Sequence, residues 1–226
     1  MTILSNCREI AATIEMELNA VNRNRDAVTC VAVTKLRSLE ETEVLYEQGL
    51  NHFGENRVEG LIEKQAHFKQ TDIKWHFIGS LQTRKVKDVI NRIDYFHALD
   101  RESLAKEINK RAEKQMACFV QVNVAGEASK HGLSPEELQD FITLLEAYPQ
   151  IQVVGLMTMA PIDADDETLH RIFYQLKKLQ EAVAERNLPY APCTETSMGM
   201  SRDYPIAIQE GATFVRIGSS FFEETE

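Results

Sequence analysis

Apolar positions along the chain switch period repeatedly. Ile10, Ile14, Leu18 and Val21 recur at helical spacing, whereas Val28-Thr29-Cys30-Val31-Ala32-Val33-Thr34-Lys35 is a near-continuous run rich in β-branched residues. The first pattern predicts a helix over residues 3–22, and the second a strand buried on both faces, as in a parallel sheet. The alternation then continues, with a helix over 39–48, a short strand over 51–56, a helix from 57 toward 68, and strands at 74–79 and 95–99. A helix over 101–115 leads into a fifth strand at 118–124. Ser134-Pro135-Glu136-Glu137 combines a cap, a first-turn proline and a capping-box glutamate, so a helix is expected from there to about Tyr148. A sixth strand follows at 151–157, the longest helix at 166–186, a weak seventh strand ending near Thr194, a helix-like stretch at 204–208 and an eighth strand at 213–218.

Eight strands separated by helices predict an α/β fold, a single (β/α)8 TIM-type barrel over residues 1–226. A doubly wound open sheet is the alternative, and the strand count favours the closed barrel. Barrels gather their chemistry at the C-terminal ends of the strands. The residues expected there are Lys35, Asn56, His76, Gly79, Asn123, Met157, Ser197, Ser201, Arg216 and Gly218. Lys35 stands out, because an amine at a half-dry strand end is held toward the neutral form that attacks an aldehyde. Ser197-Met198-Gly199-Met200-Ser201 before a helix, and Arg216-Ile217-Gly218-Ser219-Ser220 after the last strand, offer small residues and hydroxyls for a phosphate. An amine and a phosphate cradle on one face suit a ligand bearing both an aldehyde and a phosphate. Pyridoxal 5'-phosphate and the sugar phosphate of a Schiff-base aldolase both meet that description.

Composition narrows the partners. A formal net charge of −10 argues against nucleic acid and against an anionic membrane surface. Neither a signal peptide nor a membrane-spanning run is visible, and Cys7, Cys30, Cys118 and Cys193 lack metal-ligand spacing. Reduced thiols and a cytoplasmic location are expected, with no metal site.

Several stretches together resemble the pyridoxal-phosphate homeostasis protein family, which is related to the N-terminal barrel of alanine racemase. They are Ala32-Val33-Thr34-Lys35, Phe53-Gly54-Glu55-Asn56-Arg57-Val58, Trp75-His76-Phe77-Ile78-Gly79-Ser80-Leu81-Gln82, Gln121-Val122-Asn123, Gly155-Leu156-Met157-Thr158-Met159, Ser197-Met198-Gly199-Met200-Ser201 and Arg216-Ile217-Gly218-Ser219. The resemblance implies pyridoxal phosphate held as an internal aldimine on Lys35. It further implies a phosphate held by Ser201, Gly218 and Ser219, with Arg216 facing the pyridine nitrogen and Asn56 and His76 lining the pocket. Lys130, in the loop after strand five, matches a region where a second amine meets the cofactor. The chain departs from the family pattern at Arg84, where an asparagine is usual, and in the acidic ending Ser220-Phe221-Phe222-Glu223-Glu224.

An arginine beside the pyridine nitrogen opposes its protonation and makes the ring a poorer electron sink. Alanine racemase draws a catalytic group from a second domain, for which this chain leaves no room after strand eight. The expected function is therefore sequestration of pyridoxal phosphate and its delivery to dependent apoenzymes, by a monomer without robust catalysis. The alternatives are an amino-acid racemase using the barrel alone and, further off, a cofactor-free Schiff-base aldolase.

Overall fold

The computed structural model describes residues 2–69, 71–127 and 131–223. Strands β1 (Thr29–Val33), β2 (His52–Glu55), β3 (Lys74–Phe77), β4 (Tyr95–Leu99), β5 (Met116–Gln121), β6 (Ile151–Met157), β7 (Glu195–Met200) and β8 (Phe214–Ile217) form a closed barrel. Every strand runs parallel to its neighbours, and β8 pairs with β1 from Thr29↔Phe214 to Ala32↔Ile217. Helices α1 (Ile3–Ala20), α2 (Leu39–Glu47), α3 (Val58–His67), α4 (Val86–Val89), α5 (Glu102–Arg111), α6 (Leu138–Leu144), α7 (Asp166–Ala184), α8 (Tyr204–Gln209) and α9 (Ser219–Phe222) lie around it.

The helix ring is held by the apolar stripes visible in the sequence. Leu61, Leu104, Ile108, Ile142 and Leu176 are fully buried, and each such side chain contributes about 1.5–3 kcal/mol when removed from water. Thr2 and Ser38 close capping boxes at the starts of α1 and α2. The bonds of the predicted box at Ser134 also form, with the Ser134 N–H on Glu137 at 2.8 Å and the Glu137 N–H on Ser134 Oγ at 3.4 Å. The α-helix nevertheless begins only at Leu138, after a turn.

Strand seven departs from the sequence reading. It occupies Glu195–Met200, not a segment ending near Thr194, so Ser197-Met198-Gly199-Met200 is barrel wall and not a loop. Pairing on both sides, Leu156↔Thr196 and Ser197↔Phe214, overrides weak local strand preference. Gly199 has φ +89°, and the register of β7 against β8 shifts between Ser197 and Met200. An added Cβ there would lie 2.6 Å from Ala207 Cβ, so glycine is what lets the strand bend onto α8.

Candidate functional site

Lys35 leaves β1 in a tight turn closed by the Arg37 N–H on the Thr34 carbonyl at 3.0 Å. Leu36, at the third position of that turn, has φ +64° and is exposed. The turn holds Lys35 out as an exposed residue, which corrects the half-dry position expected for it. What is buried is its neighbour. The Thr34 N–H donates to Gly54 O at 3.1 Å, its hydroxyl donates to Glu55 Oε1 at 2.7 Å, and its carbonyl accepts from Lys64 Nζ at 3.1 Å. Lys64 and Glu55 are themselves paired at 2.8 Å, with side chains only 4% and 2% exposed. A sealed ion pair thus pins the backbone immediately before Lys35.

On the other side of β1, Gly218 follows β8. A Cβ on Gly218 would lie 3.3 Å from Val33 Cβ, so a side chain there would need β1 to give by a few tenths of an ångström. The N–H groups of Gly218 and Ser220 both donate to Ser201 Oγ, at 3.1 and 3.3 Å, and Ser220 Oγ donates to the Ser201 carbonyl at 3.3 Å. The two stretches read from sequence as a phosphate cradle therefore meet, with Ser219 exposed between Gly218 and Ser220. The altered ending leaves this meeting point intact. Residues 219–222 form α9, whose Phe221 is buried, and Asn6 Nδ2 holds the carbonyls of Phe221 and Glu223, each at 3.0 Å.

Arg216 lies inside the barrel, 4% exposed, and donates to Ser197 Oγ at 2.6 Å and to the Thr158 carbonyl at 2.9 Å. Burial pulls its guanidinium down to about 10, and the nearby charge of Asp203 opposes that fall. It remains a cation at neutral pH. Among the described residues no carboxylate stands within ion-pair distance of it. A buried cation bonded only to neutral oxygens favours an electron-rich group on its free edge.

Asn56 follows β2 beside Gly79, whose Cβ would sit 2.8 Å from Asn56 Cβ. Its Oδ1 is buried without a protein partner. Such an orphaned polar atom fits a bound ligand bearing a donor. A cavity of about 460 Å³ opens outward from there, walled by Asn56, Ser80, Gln82, Arg84 and Lys85. Arg84 is thus a wall residue of a space bordering the site, while Lys35 and Arg216 stand apart from that cavity.

The remaining predicted residues divide. Met157 is a core residue at the end of β6. Asn123 closes the next loop by donating from Nδ2 to Glu127 O at 2.8 Å. Lys130 lies outside the described residues. His76 is not at the mouth, as expected for a pocket-lining residue, but completely buried within β3, bonded to His52 and His97. His97, Thr158, Glu55 and Lys64 also stand in this region, and residue pattern alone does not single them out. The signal available for His97 was its place in Tyr95-Phe96-His97, where alternation puts Tyr95 and His97 on one face with His76.

Burial pushes the thiols of Cys30 and Cys193 up to about 12 and raises Cys118 as well, as expected for inert reduced cysteines. Among the described residues no helix is long and apolar enough to cross a membrane, and no cluster of three or more ligating side chains is placed to hold a metal ion.

Comparison with known proteins finds relatives along nearly the whole chain. The family described as alanine racemase, N-terminal domain, matches residues 10–225. The pyridoxal phosphate homeostasis protein of Aquifex aeolicus is 36% identical over 227 residues, covering 98% of this chain and 99% of the relative. The structure of PipY from Synechococcus elongatus with pyridoxal phosphate bound superposes with a TM-score of 0.81 at 30% identity, covering 93% of this chain and all of that one. Alanine racemase from Corynebacterium glutamicum, at 14% identity and a TM-score of 0.73 over 95% of this chain and 62% of its own, shares the barrel. The closed barrel and the match along nearly the whole chain place this protein in the pyridoxal phosphate homeostasis family, related to the alanine racemase N-terminal domain.

Proposed function

We propose that this protein carries pyridoxal 5'-phosphate as a Schiff base on Lys35, formed with loss of water, and releases it to dependent apoenzymes. The observation that carries the reading is Arg216, a buried guanidinium with neutral partners, in a barrel where Lys35 follows β1 and Gly218, bonded to Ser201, passes close to Val33 of the same strand. Ser201, Gly218 and Ser219 hold the phosphate, Arg216 meets the pyridine nitrogen, and the orphaned Asn56 Oδ1 accepts from the ligand. The bound cofactor supplies an aldehyde and a ring able to withdraw electrons. Arg216 restrains that withdrawal, because a cation beside the ring nitrogen disfavours its protonation. The site therefore stores the cofactor better than it activates it. His76 is assigned no contact with the ligand. The reading extends to a single domain acting as a monomer in the cytoplasm, with the loop bearing Lys130 as a second point of contact during transfer.

The test is the visible absorption spectrum of protein loaded with pyridoxal phosphate, wild type beside Lys35→Ala, before and after borohydride. The expected result is a Schiff-base band in the wild type only, with the reduced cofactor mapped to Lys35. An unchanged band in Lys35→Ala would refute the assignment. Exchange of amino-acid α-protons in deuterated water, lost on Lys35→Ala, would replace the carrier reading with the racemase one.

A further inference from the structure

Three imidazoles stand in line beneath Arg216. His52 Nδ1 is 2.8 Å from His76 Nε2, His76 Nδ1 is 2.9 Å from His97 Nε2, and His97 Nδ1 is 2.9 Å from Ser197 Oγ. Ser197 Oγ in turn accepts from Arg216 at 2.6 Å. His76 and His97 are wholly buried, whereas His52, the first residue of β2, is partly exposed at the N-terminal end of the barrel. Aromatic rings hold the line in place: His76 stacks on Tyr95 with centroids 4.6 Å apart, and His97 on Phe119 at 4.4 Å.

Donor and acceptor chemistry fixes the direction of this line. A guanidinium has no acceptor, so Ser197 Oγ must accept from Arg216. Among the described residues the other partner of that oxygen is His97 Nδ1, so the hydroxyl hydrogen goes there. A neutral His97 accepting at Nδ1 carries its proton on Nε2 and donates to His76 Nδ1. By the same step, His76 donates from Nε2 to His52 Nδ1. The opposite order would leave the Ser197 hydroxyl hydrogen buried without an acceptor.

We propose that Ser197, His97, His76 and His52 form a one-way chain of hydrogen bonds that positions Arg216, with all three imidazoles fixed as Nε2–H tautomers. His97 and Ser197 are the positioning residues: His97 takes the hydroxyl hydrogen, so Ser197 presents only lone pairs to the guanidinium. Each Nδ1 lone pair is spent on its neighbour, which leaves no vacant proton site beside the cation. Burial favours this neutral state, and at His52 it outweighs the carboxylates of Asp94 and Asp72, which pull the other way. His52 faces Asp94, Lys74 and Asp72; His76 faces His52; His97 faces His76 and Arg216; Arg216 faces Asp203. Burial, with the neighbouring imidazole or guanidinium, keeps His76 and His97 well below the usual imidazole range. The chain stands without the cofactor, whereas its effect on the ligand rests on the carrier reading above.

Long-range proton–nitrogen NMR of the full chain without cofactor, at neutral pH, tests the chain directly. The expected result is a protonated Nε2 and a bare Nδ1 at His52, His76 and His97, unchanged in Lys35→Ala. Ser197→Ala should disturb the His97 tautomer, and Ser197→Thr should restore it. An Nδ1–H tautomer or an imidazolium at His76 or His97, or tautomers indifferent to Ser197→Ala, would overturn the chain. In loaded protein, Ser197→Ala should weaken cofactor binding about tenfold, the effect of losing one hydrogen bond to a charged group, with Ser197→Thr recovering it. Wild-type affinity in Ser197→Ala would overturn the positioning role. Intact tautomers in a wild type that never forms a Schiff-base band would instead sink the carrier reading and leave the chain standing.

Discussion

Replacing Lys64 by methionine keeps the aliphatic stem and removes the charge that answers Glu55. The carboxylate then stays sealed in the protein, with the Thr34 hydroxyl at 2.7 Å as its remaining hydrogen bond. Breaking one side of a buried pair costs about 3–5 kcal/mol, because the stranded ion has lost its water and gained nothing in exchange. A domain of this size loses about 2–4 °C per kcal/mol, so Tm should fall by roughly 6–20 °C. Thermal unfolding followed by circular dichroism measures this. The double variant Lys64→Met/Glu55→Gln should recover most of the loss, since its amide still accepts from Thr34 and no charge is stranded. Lys178→Met, which breaks the exposed pair of Lys178 with Glu181, serves as control and should leave Tm unchanged. The reasoning is refuted if Lys64→Met behaves like that control, or if the double variant is as damaged as the single one. The effect carries to the site, because Lys64 also holds the Thr34 carbonyl, and borohydride trapping at Lys35 should slow in the single and in the double variant, since neither keeps that amine.

Other expectations follow from the same geometry. His76 and His97 are held below their ordinary value of 6.5, so the unfolded chain takes up protons that the folded one refuses. Stability should therefore be full above about pH 6.5 and fall as pH drops below it, by about 1.4 kcal/mol per pH unit for each imidazole. Urea titrations at several pH values read this slope, and a flat profile would contradict it. Gly199→Ala forces a Cβ against Ala207 and Tyr204 at φ +89° and should cost at least about 2 kcal/mol in chemical denaturation. Leu36→Gly relieves a left-handed leucine in the turn after Lys35 and should leave stability equal or higher by up to about 1 kcal/mol. A clear loss of stability would show that the leucine side chain contributes packing there.

The architecture was legible because most strands are short apolar runs bounded by polar segments. β6 was placed at its observed ends, since Ile151-Gln152-Val153-Val154-Gly155-Leu156-Met157 has no competing helical spacing. β7 escaped the same reasoning. Thr196-Ser197-Met198-Gly199 has little strand preference of its own and is a strand because β6 and β8 flank it. Of the candidate site, placement is what the sequence makes legible: Lys35, Ser201 and Gly218 follow the ends of β1, β7 and β8, and Arg216 lies within β8. The burial of His76 between two imidazoles is not legible, because a histidine near a strand end looks alike in sequence whether it meets ligand or another imidazole. Glu55 and Lys64 stayed invisible, since only folding brings a strand carboxylate onto a helix amine.

The two halves of the site come from opposite ends of the chain, Lys35 just after the first strand and Gly218 just after the last. During synthesis on the ribosome, the lysine emerges long before the Ser201 and Gly218 stretches proposed to hold the phosphate. The cradle reaches it only when β8 pairs with β1 and Asn6 seizes the carbonyls beyond Ser220. A nascent or partly folded chain thus has the amine without the grip. Under the carrier proposal, a firm hold on the cofactor would come only with the closed ring, because the β1–β8 pairing joins the two halves.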